Sequence, residues 1–433
     1  MTNLEEIAKK GKEASIKAML LNSDLKNEVL FKIAQNLETS KDFILSANEK
    51  DLADAKKMLE NNEISKSAYN RLKLDENKLK DMVQGVSDIS KLEDLVNKTL
   101  WKKELAEGIE LHKVACPIGL IGVIFEARPD VISQISALAI KSSNAVVLKG
   151  GSEAKNTNTA IFEVINNTLK SFPGFPEGFI SLVYTREDVS EMLKLDKYFD
   201  LIIPRGSNSL VKFIKENTKI PVLGHSDGIC HIYIDETADI NKVLKICTDA
   251  KCQYPSACNS VETILINKKV VSDILPKLCE ELKNNGVLIK GDKTCLETVL
   301  GIESATEADW KTEYGEKVVS IKCVEGLDEA IEHINLYGSH HTDAIITENK
   351  GNAEKFMLMV DSAGVYHNIS TRFADGFRYG FGAEVGISTN KTHARGPVGI
   401  EGLMIYKYKL YGSGDIVSDF TTHKRSFTHK TIN

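Results

Sequence analysis

The sequence has no apolar run that approaches the roughly 18 residues of a membrane-spanning helix, which argues against an integral membrane protein. It also lacks an excess of positive charge. Its formal net charge is −6 and its pI is about 6.0, so it has no general attraction to nucleic acid. The first residues, MTNLEEIAKKGKEAS, contain no apolar core of the length that a signal peptide needs. We therefore expect a cytoplasmic protein that binds neither nucleic acid nor membranes.

The cysteines form no metal-binding pattern. None of the eight stands in a CxxC pair, and their spacing matches no zinc template, so no metal site is expected. In a large cytosolic chain, the ordinary cysteine is a reduced, buried thiol that packs as a small apolar group. The functional question is whether one of these thiols differs from the others.

The dinucleotide-binding fingerprint GxGxxG is also absent, as are internal repeats and low-complexity tracts. What the chain does have is 433 residues, of which 42% are apolar and 27% are charged, the composition of an ordinary globular protein. This length is sufficient for two or three domains with separate cores.

Residues 1–100 have the pattern of amphipathic helices. Apolar residues recur every three or four positions in LKNEVLFKIAQNLE and LKDMVQGVSDISKL, and Thr2 with Glu5 fits a helix-capping box. Near Leu111 the pattern changes, because short apolar runs begin to alternate with helical segments. Runs such as GLIGVIFE, AVVLKG, LIIPR and PVLG predict buried strands of a parallel sheet, whose carboxyl ends usually carry the ligand.

A second alternating block runs from IYID to AGVYHN, so we predict two α/β lobes with a cleft between them. The segment from about Gly402 (GLMIYKYKLYGSGD) has strand character, and we expect it to pair with TLWKKELAEGIELHKV near residue 105. Exposed strand edges of this kind commonly serve as oligomerisation surfaces.

Cys258 is the cysteine that differs. It lies among small residues in YPSACNSVET, in a loop between a predicted helix and a predicted strand. A thiolate there can attack an acyl carbon, and its own N–H can face an oxyanion. The alternative is an inert structural thiol, which is the commoner fate of a cysteine.

Two further loops suit a cofactor. Gly206 and Ser207 follow the strand LIIPR and open a helix, a turn that either binds a phosphate or merely caps the helix. Lys149 ends the strand AVVLK ahead of Ser152 and Glu153, where it can reach a ribose or a phosphate. Taken alone, this segment is an ordinary strand-to-helix loop.

In their order along the chain, these loops resemble the aldehyde dehydrogenase superfamily. VLKGGSEA is similar to its ribose-binding turn, IPRGSNS to its pyrophosphate turn, PVLGHSDG to its Leu-Gly-Gly turn and SACNS to its nucleophile loop. VYHNISTRFADGFRYGFGAEVGIS is similar to its late Asn and Phe-Gly-Gly region, so the resemblance covers about residues 110–400. IGVIFEARPDV, YGSHHTDAI and FGAEVGISTNKTHARGPVGIEGL resemble one branch, the gamma-glutamyl phosphate reductases.

The resemblance implies a fold and its division. The fold is α/β and aldehyde-dehydrogenase-like, with two parallel α/β lobes, a small β oligomerisation flap and a helical N-terminus. The expected parts are residues 1–100 within the cofactor lobe, 101–115 and 403–433 as oligomerisation strands, 116–224 as the NADP-binding domain, and 225–395 as the catalytic domain, with the nucleophile loop at 254–260.

It also implies an activity: the reduction of glutamyl 5-phosphate to glutamate 5-semialdehyde with NADP(H), the second step of proline biosynthesis. Cys258 would take the acyl group as a thioester, and NADPH would deliver the hydride. The implied cofactor-binding residues are Lys149, Ser152, Glu153, Gly206, Ser207 and Glu313. A homo-oligomer and an association with glutamate 5-kinase are the expected assemblies.

The sequence departs from the hydrolytic members of the superfamily at two positions. Val222 stands where those enzymes carry the glutamate that activates water, so slow hydrolysis of the thioester is expected. Ala127 stands where they carry an asparagine that binds the oxyanion. Arg128 beside it suits a bidentate contact with the acyl phosphate, or else a surface ion pair.

His225, Asn368 and Arg372 are further candidates for the substrate pocket. His225 would guide the phosphate or the substrate carboxylate, or simply fill a turn. The adjacent His340 and His341 invite a metal, but neighbours on a strand point to opposite faces, so we expect a structural or phosphate-related role for them.

Two other functions stay open. A hydrolytic NAD(P)-dependent aldehyde dehydrogenase would work without phosphate, and Val222 argues against it. A non-catalytic scaffold that binds a partner through the N-terminal helices would have no use for an intact Cys258 loop.

Overall fold

A computed structural model describes residues 2–225 and 227–432. The chain divides into two compact units. The first comprises Met1–Leu223, Gly382–Val385 and Val398–Asn433, and the second comprises Gly224–Phe381 and Gly386–Pro397. Within the described ranges, no helix combines the length and the apolar character needed to cross a membrane.

The predicted N-terminal helices are present. They are α1 (Asn3–Ala18), α2 (Ser23–Thr39), α3 (Lys41–Glu60), α4 (Lys66–Leu72) and α5 (Glu76–Lys91). Thr2 accepts the Glu5 N–H at 3.2 Å and so caps α1, which is the Thr2 half of the predicted capping box. Asn22 and Asp75 cap α2 and α5 in the same way.

A hairpin follows the helices. Its strands are β1 (Thr99–Ala106) and β2 (Ile109–Pro117), which pair in antiparallel fashion. Gly108 in the connection has a φ of 77°, a left-handed conformation that costs glycine little because it has no Cβ.

The first α/β block holds a four-stranded parallel sheet. Its strands are β3 (Leu120–Phe125), β4 (Ala145–Lys149), β5 (Ile180–Val183) and β6 (Leu201–Arg205), in the order β5-β4-β3-β6. Its helices are α6 (Asp130–Ser142), α7 (Lys155–Lys170), α8 (Arg186–Met192) and α9 (Asn208–Glu216). β3 is buried at every position, as a central parallel strand should be.

The strand predicted at PVLG does not form. Val222 makes a single isolated bridge to Ile202, and two backbone hydrogen bonds to Ile202 flank it. Pro221 has no N–H to donate, so the ladder cannot extend there. That prediction was wrong, because proline removes the donor that a paired strand needs.

The second unit is built on a seven-stranded parallel sheet. Its strands are β7 (Cys230–Ile234), β8 (Val261–Asn267), β9 (Leu288–Gly291), β10 (Glu303–Ser304), β11 (Val318–Val324), β12 (Thr342–Ile346) and β13 (Gly364–His367), in the order β10-β9-β11-β8-β7-β12-β13. Its helices are α10 (Ile240–Cys252), α11 (Val271–Asn284), α12 (Lys293–Thr298), α13 (Leu327–Tyr337) and α14 (Lys350–Met359).

Alternate residues of these strands face two apolar cores. In β8, Ile264 and Ile266 enter the core formed with α10 and α11, whereas Leu265 enters the core formed with α13 and α14. Both faces of the sheet are therefore covered, which is why the strands read as continuous apolar runs in the sequence.

The last elements return to the hairpin. After β14 (Gly386–Ser388) and β15 (Gly396–Val398), which pair with each other, come β16 (Met404–Tyr411), α15 (Val417–Thr421) and β17 (Lys430–Ile432). β16 pairs with β2 and β17 with β1, both antiparallel, which gives a sheet in the order β16-β2-β1-β17. The predicted pairing of the segment after Gly402 with the region near residue 105 is confirmed.

Candidate active site

Three segments of the second unit meet at the amino ends of neighbouring strands. His225 precedes β7, Cys258 precedes β8 and His341 precedes β12, and the sheet order places these strands side by side as β8-β7-β12. Because parallel strands share one amino-terminal edge, residues far apart in the sequence come together there. The Cys258 sulfur and one ring nitrogen of each histidine all lie within 4.8 Å of one another.

The Cys258 loop lies between α10 and β8, as predicted, and its backbone is held from several sides. Asn259 donates a side-chain N–H to the Ala374 carbonyl at 2.8 Å. The Cys230 sulfur lies 3.3 Å from the Cys258 carbonyl oxygen. A Cβ at Gly228 would lie 2.2 Å from that same oxygen, so any larger residue must displace the loop.

Cys258 is one of three partly exposed cysteines, with Cys252 and Cys323. Burial raises the pKa of Cys252. It also raises the pKa of Cys323 and of the buried Cys279, in each case to about 11. A raised pKa disfavours the reactive thiolate in all three. Cys258 combines partial exposure with two nearby imidazoles. It is therefore the thiol best suited to act as a nucleophile.

Both histidines make a hydrogen bond through Nδ1. His225 Nδ1 lies 2.8 Å from the Ile387 carbonyl oxygen, which can only accept, so Nδ1 carries hydrogen and Nε2 of the neutral ring keeps a lone pair. His341 is fully buried, and its Nδ1 lies 2.9 Å from Thr342 Oγ1. The two rings stand edge to face, with centroids 4.8 Å apart.

Arg372 adds a buried cation near this cluster. Its Nε donates to Gln253 Oε1 at 2.9 Å, and its guanidinium lies 5.8 Å from the ring centroid of Tyr254. Burial and the charge of Arg378 lower the pKa of Arg372, and a thiolate at Cys258 would oppose both effects, as the carboxylate of Asp375 does. A guanidinium keeps its charge under these conditions, so Arg372 is available to an anion close to Cys258.

The other two predicted residues of the second unit have different surroundings. Asn368, at a φ of 56°, accepts the Thr347 N–H at 3.0 Å and donates to the Thr347 carbonyl at 2.9 Å, so its amide acts as a local clamp. Glu313 lies close to Glu262, and burial raises the pKa of Glu262 to about 7 with a smaller contribution from Glu313. The pocket role of Asn368 and the cofactor role of Glu313 stay predictions.

The predicted cofactor residues of the first unit also meet at one edge, but at carboxyl ends. Lys149 ends β4, with Ser152 and Glu153 next, whereas Gly206 and Ser207 follow β6. Because β4 and β6 flank β3, the two loops are neighbours at the edge where parallel sheets usually bind nucleotides.

The turn at Ser207 already holds an anionic group. The Ser207 N–H, at the start of α9, is donated to Glu126 Oε2 at 2.9 Å. A Cβ at Gly206 would lie 2.5 Å from that carboxylate oxygen. The turn therefore fits a phosphate, since free N–H groups and the helix dipole favour negative charge.

A cavity of about 190 Å³ opens beside Lys149; its lining residues are Gly150, Gly151, Ser152, Lys155, Asn158, Leu182, Tyr184 and Thr185. The Lys155 ammonium lies 5.6 Å from the Tyr184 ring centroid. Burial lowers the pKa of Lys149, and the neighbouring Glu153 and Glu126 oppose this. The hydroxyl, ammonium and aromatic groups at this edge fit the sugar-phosphate portion of a dinucleotide.

Ala127 and Arg128 lie in the turn between β3 and α6. Ala127 has a φ of 47° and donates its N–H to Glu153 Oε1 at 2.6 Å. Asparagine tolerates this left-handed conformation better than alanine does. Arg128 is half-buried, and its carbonyl accepts the Val131 N–H at 3.2 Å. Its contact with an acyl phosphate stays a prediction.

The sequence matches the aldehyde dehydrogenase family over residues 3–295. It is 60% identical to the gamma-glutamyl phosphate reductase of Brachyspira hyodysenteriae over 429 residues, which cover 99% of each chain. It is 50% identical to that of Methanococcoides burtonii over 437 residues, which cover 100% of this chain and 97% of the relative. The crystal structure of the Thermotoga maritima gamma-glutamyl phosphate reductase matches with a TM-score of 0.92 at 39% identity, covering 96% of this chain and 100% of that one. The chain belongs to the gamma-glutamyl phosphate reductase family.

Membership of the gamma-glutamyl phosphate reductase family confirms the resemblance of the SACNS loop and its neighbouring motifs. The expected fold class is confirmed as well: an α/β, aldehyde-dehydrogenase-like chain with parallel sheets and a helical N-terminus. The roles of individual residues depend on the geometry described above.

Sequence reasoning missed a charged pair behind the Cys258 loop of this reductase-family chain. Lys251 in α10 and Glu262 in β8 are both buried, and their Nζ and Oε2 atoms lie 2.7 Å apart. A glutamate inside the apolar run VETILI was a visible signal, because a buried carboxylate needs a partner. The identity of that partner depends on which helix packs on β8, and the sequence does not state it.

Proposed function

We propose that this chain reduces L-glutamyl 5-phosphate to L-glutamate 5-semialdehyde and phosphate with NADPH, the second step of proline biosynthesis. The observation that carries the proposal is 60% identity to a gamma-glutamyl phosphate reductase over 99% of the chain. The half-exposed Cys258, with His225 and His341 within 4.8 Å, supports it chemically, because acyl-phosphate reduction needs a nucleophile next to a group that takes up a proton.

Cys258 is the nucleophile in this proposal. His225 Nε2 accepts the thiol proton, since its Nδ1 is committed to the Ile387 carbonyl. The sulfur attacks the acyl carbon, phosphate leaves with the electrons of the broken C–O bond, and a thioester remains. The N–H of Cys258 stabilises the oxyanion of the tetrahedral state. When the aldehyde is released, the C–S bond breaks and the thiolate is restored.

Arg372 and His225 are the proposed partners of the substrate's negative groups. The guanidinium of Arg372 lies near Cys258 and is held by Gln253 and Tyr254, so it is oriented before the substrate arrives. A fixed guanidinium binds phosphate or carboxylate through two parallel hydrogen bonds. Arg128 and Asn368 complete the proposed substrate set.

The aldehyde dehydrogenase family uses a nicotinamide cofactor. We propose that NADPH is that cofactor here and that, when bound, it supplies the hydride. The residues proposed to hold it are Lys149, Ser152, Glu153, Gly206, Ser207 and Glu313. Ser207 would hold a phosphate through its N–H, and Lys149 would neutralise negative charge at the end of β4.

The absence of a carboxylate at position 222 favours phosphate over water as the partner of the thioester. Val222, at the position of the hydrolytic glutamate, is an aliphatic residue bridged to Ile202 and cannot activate water. The thioester is therefore expected to persist until hydride reaches it or, in the reverse direction, until phosphate attacks it.

We further propose that the sheet β16-β2-β1-β17 is an oligomerisation surface. Its edge strand β16 exposes Tyr406, Tyr408 and Leu410 by 51%, 55% and 62%. An exposed apolar edge strand is a template for pairing with another chain. Analytical ultracentrifugation of a Tyr408→Lys, Leu410→Lys variant is expected to give a smaller assembly than the wild type. Association with glutamate 5-kinase remains a prediction that co-purification tests.

The reverse reaction tests the proposed activity. Purified protein receives glutamate 5-semialdehyde and NADP⁺ with and without phosphate, and the absorbance of NADPH is followed. We expect NADPH to form only with phosphate, and Cys258→Ala to abolish its formation while Cys252→Ala retains it. Activity without phosphate would mean that water resolves the thioester and would favour the hydrolytic aldehyde dehydrogenase.

A further inference from the structure

The cluster of Cys258, His225 and His341 has the composition of a metal-binding site. One thiolate and two imidazoles form the sulfur and nitrogen ligand set that Zn²⁺ prefers. Their potential ligand atoms lie within 4.8 Å of one another, and all three residues belong to the second unit. Around a tetrahedral ion with bonds of about 2.0–2.3 Å, ligand atoms stand about 3.3–3.8 Å apart. The ligand atoms need to approach one another by at most about 1–1.5 Å to reach this spacing, and small side-chain rotations achieve that.

His225 is already oriented as a ligand. Its Nδ1–H is donated to the Ile387 carbonyl at 2.8 Å, which leaves the lone pair on Nε2. Metal-binding histidines characteristically make such a bond with the far nitrogen, because it fixes both the tautomer and the plane of the ring.

His341 carries a second, independent indication. The residue is fully buried, and its Nε2 has no hydrogen-bond partner among residues 2–225 and 227–432. Its Nδ1 lies 2.9 Å from Thr342 Oγ1, and its ring stands edge-on to that of His225. Buried ring nitrogens normally have a partner. A cation bound through Nε2 would give this atom a partner.

We propose that Cys258, His225 and His341 bind a thiophilic divalent cation such as Zn²⁺, and that the bound cation reversibly blocks Cys258. Binding releases the thiol proton to solvent and forms a metal–sulfur bond with no oxidation or reduction, so the affinity rises with pH. Three protein ligands leave a fourth position for water, and a chelator can therefore remove the ion. The charge of Arg372, which lies near Cys258, limits the affinity. Only the blocking of activity rests on the proposed function.

Cobalt is the spectroscopic probe for this site. Metal-free full-length protein is titrated with Co²⁺, and we expect one equivalent to produce thiolate-to-cobalt charge-transfer absorption that Zn²⁺ then displaces. The band should be absent in Cys258→Ala. It should weaken in His225→Asn and His341→Asn, with affinity lower by at least about tenfold. Cys252→Ala is the matched control, because it removes another half-buried thiol and should keep the band.

Replacing the fully buried His341 can disturb folding, whereas His225 is only half-buried. The variant His225→Asn therefore tests the site independently of a folding defect in His341→Asn. The proposed metal site is contradicted if the charge-transfer band persists in Cys258→Ala or is absent in the wild type. Inhibition by Zn²⁺ that EDTA reverses is the expected activity readout. The two proposals can fail separately: an inactive protein with an intact cobalt band contradicts the reductase function, and an active protein without the band contradicts the metal site.

Discussion

Lys251 and Glu262 form a fully buried ion pair, with Nζ and Oε2 2.7 Å apart, at the two ends of the segment that carries Cys258. Burial lowers the pKa of the lysine and raises that of the glutamate to about 7, so each side chain depends on the other to remain charged. The pair joins α10 to β8 directly behind the Cys258 loop.

Removing one partner of this pair should be strongly destabilising. Lys251→Met leaves a buried carboxylate alone, and we expect the free energy of unfolding to fall by about 3–5 kcal/mol in urea denaturation. Lys251→Met, Glu262→Leu together should recover most of that loss, because no unpaired charge remains. The exposed pair Lys268–Glu325 is the control, and Lys268→Ala should change nothing measurable. A double variant as unstable as the single one would contradict this account.

Gly228 should be essential to the position of Cys258. An added Cβ lies 2.2 Å from the Cys258 carbonyl oxygen, so Gly228→Ala must shift the loop. A shift of about 1 Å at a nucleophile lowers kcat by roughly 100-fold. Gly85→Ala in α5 meets no atom within 4 Å and should leave kcat unchanged while adding up to about 1 kcal/mol of helix stability. Steady-state kinetics measures kcat for both variants, and thermal unfolding checks that each variant is folded. Equal activity in both would show that the loop tolerates displacement.

Arg372 should act on the substrate and leave the cofactor unaffected. Loss of a charged hydrogen bond costs about 1.5–3 kcal/mol, so Arg372→Gln should raise the KM for the acyl phosphate by roughly 10–100-fold with the KM for NADPH unchanged. Arg372→Lys keeps the charge but loses the planar fork, and an intermediate KM is expected. If the KM for NADPH rises instead, Arg372 belongs to the cofactor site.

Glu126 should compete with the cofactor for the start of α9. Its carboxylate accepts the Ser207 N–H at 2.9 Å, so Glu126→Gln removes the negative charge that stands where a phosphate is proposed to bind. A charge at a helix terminus is worth about 0.3–1 kcal/mol, and we expect the Kd for NADPH to fall by about two- to fivefold. Fluorescence titration measures it, with Glu187→Gln in the first turn of α8 as the control. A weaker affinity in Glu126→Gln would instead make Glu126 a cofactor ligand.

His333 should contribute to the acid sensitivity of the fold. Burial, with smaller contributions from His231 and Lys322, lowers its pKa to about 3, and its ring also contacts Trp310 and Tyr337. The unfolded chain binds the proton more tightly, so this stability is present above pH 6.5 and is lost as the pH falls toward 3. Between these two pKa values, the free energy of unfolding falls by about 1.4 kcal/mol for each pH unit.

The variant His333→Phe should therefore lose less stability than the wild type between pH 7.5 and 5. Urea denaturation at both values measures the difference, and it should amount to about 2 kcal/mol. The exposed His423 serves as the control through His423→Asn, because asparagine tolerates its left-handed φ of 59°. An unchanged pH dependence in His333→Phe would place the acid sensitivity elsewhere.

Local sequence patterns were sufficient to predict the helices and strands discussed next and to suggest the family. The apolar runs VETILIN and VVSIKCV are β8 and β11 to the residue, because a strand covered on both faces must be apolar at successive positions. The same patterns place Cys258 and Ser207 in loops at the ends of such elements and Lys149 at the last position of its strand. The failure at PVLG was also local, since Pro221 removes a ladder donor.

The tertiary structure alone decided which of these residues meet. Ligands of parallel sheets usually bind at the carboxyl ends of the strands. This rule locates Lys149 and Ser207 but not Cys258, which lies at the amino end of β8. The order β8-β7-β12 brings His225 and His341 to Cys258, and the packing of α10 on β8 brings Lys251 to Glu262. Strand order and helix packing arise from contacts between distant segments. The sequence by itself therefore determined the candidate nucleophile Cys258 and the position of its loop between α10 and β8, and the fold determined the groups around them.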